Sequence, residues 1–112
     1  MTAMPEPELP EVDPPQALLR LRAGQATFVD IRDPRSWAAG HVPGAVHLQD
    51  ANLSDFLQAT PRAQPLVVYC YHGYSSLGAV AFLLEQGFEQ VASLRGGFQG
   101  WQEAGGEVDP PS

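Results

Sequence analysis

Leu66-Val67-Val68-Tyr69-Cys70-Tyr71-His72-Gly73-Tyr74-Ser75-Ser76 passes from an unbroken apolar stretch, through a polar loop bearing a glycine, into a segment of helical spacing. Four apolar residues in a row, Leu66 to Tyr69, read as a strand covered on both faces. Beyond the loop, Leu77, Val80, Ala81 and Leu84 recur at i, i+3, i+4 and i+7. That period predicts a helix from about Ser76 to Gln86 with one buried stripe. Gly87 suits the left-handed closing position, with Phe88 folding back towards Leu83. A buried strand that leads straight into a helix is the repeating unit of a parallel α/β sheet.

The same alternation extends in both directions. Asp13-Pro14 and Asp33-Pro34 are two helix starts, in which Asp caps and Pro needs no N–H partner in the first turn. The first helix carries Ala17, Leu18 and Leu21 and stops at Gly24; the second carries Trp37 and stops at Gly40. Between them Thr27 to Ile31 reads as a short buried strand, and Ala45 to Leu48 as another. Leu53, Phe56 and Leu57 mark one face of a helix that Pro61 breaks. Val91 to Leu94 is a last strand, Gly96-Gly97 a turn, and Phe98 to Ala104 a final helix anchored by Trp101. The expected architecture is α/β: about five strands, mostly parallel, with helices on both faces.

A chain of 112 residues supplies one hydrophobic core. Its net charge of −7 is uneven. Residues 1–13 hold four acids and residues 107–112 two more, whereas 14–106 has seven acids against six arginines. The acidity lies in the tails and favours solubility, and no basic surplus suggests nucleic-acid binding. Residues 1–12, rich in Pro and Glu, read as a flexible leader, 13–106 as the domain, and 107–112 as a flexible tail. The longest apolar run, Ala79 to Leu84, is far too short to span a membrane. The acidic N-terminal stretch, with no basic residue before Arg20, does not resemble a secretory or mitochondrial signal, so the expected compartment is the cytoplasm.

Cys70 is the sole cysteine and has no intramolecular disulfide partner. It stands where open α/β sheets bind ligands, at the carboxyl edge of a strand. The loop ends at a helix N-terminus, where unpaired N–H groups and the dipole favour an anion and lower a thiol's pKa. Gly73 lets the loop curl so that successive amides point inward, and Ser75 and Ser76 are suited to cap the helix. The plainer reading is a small buried hydrophobe. Its position at a strand end before a polar loop favours a nucleophile.

Three segments carry a resemblance. Cys70-Tyr71-His72-Gly73-Tyr74-Ser75-Ser76 is similar to the active loop of the single-domain rhodaneses, closest to the GlpE-type thiosulfate sulfurtransferases. Val29-Asp30-Ile31-Arg32-Asp33-Pro34 with Gly40-His41-Val42-Pro43-Gly44-Ala45 resembles the family's N-terminal pattern. Leu94-Arg95-Gly96-Gly97 with Trp101 resembles its C-terminal one. The match covers about residues 14–106 in the right order. It implies a Cys70 persulfide, formed from thiosulfate and passed to cyanide, a thiol or a thioredoxin-like protein. The amides of Tyr71, His72, Gly73, Tyr74, Ser75 and Ser76 would bind the anion, and no metal or organic cofactor is implied. Leu77 stands where the closest pattern has a lysine, which weakens capture of a dianion and leaves a carrier of protein-borne or small-molecule persulfide as the first alternative. A Cys-dependent phosphatase or arsenate reductase is the second. Such phosphatases place an arginine six residues after the cysteine; here that residue is Ser76, and no Arg or Lys lies between Pro65 and Gln90.

Arg32 follows the first strand at the same sheet edge, so it either reaches the pocket or pairs with Asp30 or Asp33. Asp30 reads as a buried hydrogen-bonding residue rather than a general base. Arg95 could hold an anionic donor if its turn faces the loop. His41 reads as a turn residue, Trp37 and Trp101 as core or rim packing, and Tyr71 and Tyr74 as pocket walls or exposed loop aromatics. His41, His47 and His72 with one cysteine do not match a zinc spacing.

Overall fold

A computed structural model describes residues 9–110. At its centre, β4 (Leu66–Tyr69) is wholly buried. Around it lie β1 (Glu11–Val12), β2 (Thr27–Asp30), β3 (Val46–His47) and β5 (Val91–Leu94). The strand order is β1-β5-β4-β2-β3, and every pairing is parallel. The helices are α1 (Pro14–Arg22), α2 (Pro34–Ala39), α3 (Leu53–Ala59), α4 (Ser75–Glu85) and α5 (Gly97–Glu103), with a 3-10 turn at Asp50–Asn52.

Both Asp-Pro starts act as the sequence indicates. Asp13 Oδ1 accepts from the Gln16 amide at 2.9 Å, and Asp33 Oδ1 from the Ser36 amide at 2.9 Å. Alternation along the strands sorts the core into two layers. Phe28, Val67, Tyr69, Ala92 and Leu94 pack with Ala17 of α1 and with Phe98 and Trp101 of α5. Val29, Leu66, Val68 and Val91 pack with Phe56 of α3 and with Val80 and Leu83 of α4. The Tyr69 hydroxyl, inside the first layer, accepts from the Val42 amide at 3.0 Å.

Several boundaries differ from the sequence reading. Residues 11 and 12, assigned by composition to the leader, form the edge strand β1. Ser93 N donates to Pro10 O at 2.9 Å and Arg95 N to Val12 O at 2.8 Å, and Val12 is buried. Within the expected C-terminal tail, His41 and Asp109 exchange backbone hydrogen bonds of 2.9 and 2.8 Å, and the Trp101 indole donates to Glu107 O at 2.8 Å. Residues 1–8 and 111–112 of the proposed tails lie outside the described residues. Gly97, read as part of a turn, already begins α5. Among the described residues no helix is long and apolar enough to cross a membrane.

Candidate active site

Cys70 is the first residue beyond β4, and the alternation of the strand turns it towards α4. Its sulfur sits over that helix's N-terminus. The Gly73 amide donates to Sγ at 3.1 Å and the Ser76 amide at 3.3 Å, while the Ser76 hydroxyl lies 3.3 Å from it. The Ser76 hydroxyl is in turn 2.7 Å from the hydroxyl of Ser93 on β5, and both serines are fully buried. Burial pushes the Cys70 thiol up. Hydrogen bonds from the Ser76 hydroxyl and from the Ser76, Gly73 and His72 amides outweigh it and hold the thiol below its ordinary value.

The loop keeps this shape because a second helix end holds its other side. Phe98 N donates to Cys70 O at 2.8 Å and Gln99 N to Tyr71 O at 3.0 Å, so α5 engages these carbonyls and the later amides serve the sulfur. Contact is close enough to require glycine. At Gly97 (φ +61°) a Cβ would stand 2.5 Å from Tyr71 O and 2.6 Å from Cys70 O. At Gly73 (φ +95°) it would stand 2.9 Å from Gly96 N.

The arrangement favours a thiolate or other anionic sulfur in a ring of donors. A rhodanese-like domain model matches residues 13–104. The chain belongs to the rhodanese family. It is 48% identical over 89 residues to the thiosulfate sulfurtransferase GlpE of Stutzerimonas stutzeri, covering 80% of this chain and 82% of that protein. To the protein of the same name from Pseudoalteromonas translucida it is 46% identical, covering 80% and 85%. Among solved structures, the rhodanese-like domain of an Anabaena sp. protein superposes with a TM-score of 0.80 at 28% identity, covering 89% of this chain and 78% of that one.

Within this rhodanese the sequence-derived residues do not all converge. Gly73 and Ser76 reach the sulfur. Neither Ser75 nor Ser76 caps α4 by its side chain; Tyr74 holds the cap position without a side-chain hydrogen bond. Sγ takes the acceptor role a cap would fill, and this explains why Ser76 faces inward. Tyr71 and Tyr74 are exposed, and the Tyr71 ring meets His72 edge-on at 4.7 Å. Arg95 pairs at 3.7 Å with Glu11 on the surface.

Arg32 takes the ion-pair alternative. Its Nε lies 3.1 Å from both Asp30 carboxylate oxygens, and Nη2 lies 2.7 Å from Oδ2 and 2.6 Å from Gly40 O. The guanidinium also lies over the Phe98 ring at 4.0 Å. Asp30 is thus a structural partner. His41, beyond its turn role, stacks on Trp37 at 3.6 Å, with His47 on Trp37 at 4.7 Å. Trp101 is core.

Ser93 is the residue that sequence reasoning missed. Its signal was a hydroxyl inside the apolar run Val91-Ala92-Ser93-Leu94, since a buried hydroxyl needs a partner.

Proposed function

We propose that this rhodanese is a thiosulfate sulfurtransferase with Cys70 as nucleophile. The Cys70 thiolate attacks the outer sulfur of thiosulfate, an S–S bond forms, and the S–S bond of thiosulfate breaks with its electron pair leaving on sulfite. The product is an anionic Cys70 persulfide. In the second half-reaction cyanide or a thiolate attacks the outer sulfur and Cys70 departs as thiolate, so the cycle closes with no net redox change.

The observation that carries this reading is the convergence of Gly73 N, Ser76 N and Ser76 Oγ on Sγ within 3.1 to 3.3 Å. Donors fixed in place before the reaction stabilise the thiolate and the anionic persulfide without reorganising. The names and 46–48% identity of the two curated relatives support the same substrate. The test is steady-state turnover: sulfite and thiocyanate released from thiosulfate and cyanide with ping-pong kinetics, abolished in Cys70→Ser. Release that survives Cys70→Ser refutes it.

A second reading has one observation in its favour. Leu77, half-buried on the first turn of α4, leaves the loop without a lysine or arginine of its own. A persulfide carrier fed by a larger donor, with a small thiol or a thioredoxin-like protein as acceptor in the cytoplasm, would not need one. Sulfur loading from such a donor with no sulfite release from thiosulfate would select the carrier.

A further inference from the structure

Ser93 places a hydroxyl in the middle of an apolar strand, and the sulfur-transfer steps above give it no part. The register pairs it with Val68 on β4. Cys70 lies two residues beyond Val68, so alternation puts Ser93 on the same face of the sheet as the nucleophile, one strand over. Ser93 and Ser76 are both 0% exposed, out of reach of water. Among the described residues, Ser93 Oγ has one hydrogen-bond partner, Ser76 Oγ at 2.7 Å. Ser76 Oγ has two, Ser93 and the Cys70 sulfur at 3.3 Å. The three groups form a chain of two links, closed at the Ser93 end.

Proton balance sets the direction of the links. The Ser93 proton has no acceptor but Ser76 Oγ, and a buried hydroxyl left without an acceptor is costly. Ser93 therefore donates to Ser76, and the Ser76 proton is left for the sulfur. With Cys70 as a thiolate, two protons fill two links; with a thiol, three protons compete for the same two. We propose that Ser93 is a positioning residue for Cys70, the closed end of a hydroxyl chain that keeps Ser76 donating to the sulfur. This role rests on Cys70 being the nucleophile and deepens it, since the same thiolate attacks in the first half-reaction and departs in the second. Without Ser93, the Ser76 hydroxyl loses a polarising donor and can turn to a helix carbonyl one turn back. Charged groups do not supply the same effect from nearby. Neither the first turn of α4 nor β5 carries an acid or base, and Asp30 and Arg32 lie with Tyr69 on the opposite face of the sheet. The titratable side chains of the loop, Tyr71, His72 and Tyr74, are exposed, and α5 beyond it has one acid, Glu103.

Cys70 is the only cysteine, so alkylation by iodoacetamide reports it alone. Ser93→Ala removes one small hydroxyl and leaves Ser76 and the loop amides in place, and an unchanged circular dichroism spectrum checks the fold. The midpoint of the pH–rate profile should move up by about half a unit, and the rate well below both midpoints should fall about twofold. In a Ser76→Ala background, Ser93→Ala should cause no further shift, because its only route to the sulfur is gone. An unmoved or lowered midpoint in Ser93→Ala overturns the role. So does the same shift with and without Ser76, which would make Ser93 a packing residue only. Alkylation needs no sulfur donor, so this outcome is separate from the proposed reaction. A wild type that takes no sulfur from thiosulfate would count against that reaction and leave the hydroxyl chain standing.

Discussion

Replacing Ser76 by alanine removes one donor from the Cys70 sulfur and leaves the backbone amides of residues 72, 73 and 76. The hydroxyl lies 3.3 Å from Sγ, and Ser93 orients it at 2.7 Å. A hydrogen bond to a charged group contributes roughly 1.5–3 kcal/mol, and a diffuse sulfur acceptor at this distance belongs at the low end. About 1.4 kcal/mol corresponds to one pKa unit. The direction is upward, because the lost bond stabilises the thiolate. The assay is the rate of alkylation by iodoacetamide against pH. Well below both pKa values the variant has about a tenth of the thiolate, each roughly threefold more nucleophilic because its pKa is higher, for a net slowing of three- to fourfold. Well above both it reacts about threefold faster. The two profiles therefore cross. A Ser76→Ala profile that titrates at the wild-type pH or lower, in protein with an unchanged circular dichroism spectrum, refutes the assigned role of the hydroxyl.

Other outcomes follow from the same geometry. Gly97→Ala should cost about 3 kcal/mol or more in urea unfolding and abolish sulfur uptake, combining left-handed strain with a clash on the Cys70 and Tyr71 carbonyls. Gly105→Ala, also at positive φ but with open space around it, should cost only about 1–2 kcal/mol. Asp30→Ala leaves a buried guanidinium unpaired and should destabilise by roughly 3–5 kcal/mol, with Asp30→Ala/Arg32→Met less affected in a double-mutant cycle. Deleting residues 1–12 removes two backbone hydrogen bonds to β5 and the burial of Val12, and should cost about 2–4 kcal/mol by the same measurement.

The strands and helices that carry long periodic or unbroken apolar patterns were legible in the sequence, and so was the nucleophile. Leu66 to Tyr69 could be covered on both faces only at the centre of the sheet, and its carboxyl end had to present Cys70. The two-residue strand Glu11–Val12 was not legible, because two residues define no period and its pairing partner lies 82 positions away in the chain. Arg32 was ambiguous for a different reason. The sequence placed it at the correct edge, but the choice between pocket and Asp30 depends on side-chain direction, and in the structure Asp30 and Gly40 take its Nε and Nη2. Ser93 escaped notice because its partner, Ser76, belongs to an element that only the fold brings near. The serines expected to cap α4 were misjudged since the best acceptor for that helix end is the sulfur itself.

Intact mass after incubation with thiosulfate tests the central claim most directly. Wild-type protein should gain one sulfur atom, lose it again on addition of cyanide, and show no gain when Cys70 is replaced by serine. A wild-type mass that thiosulfate leaves unchanged, or a gain that persists in Cys70→Ser, would contradict the account.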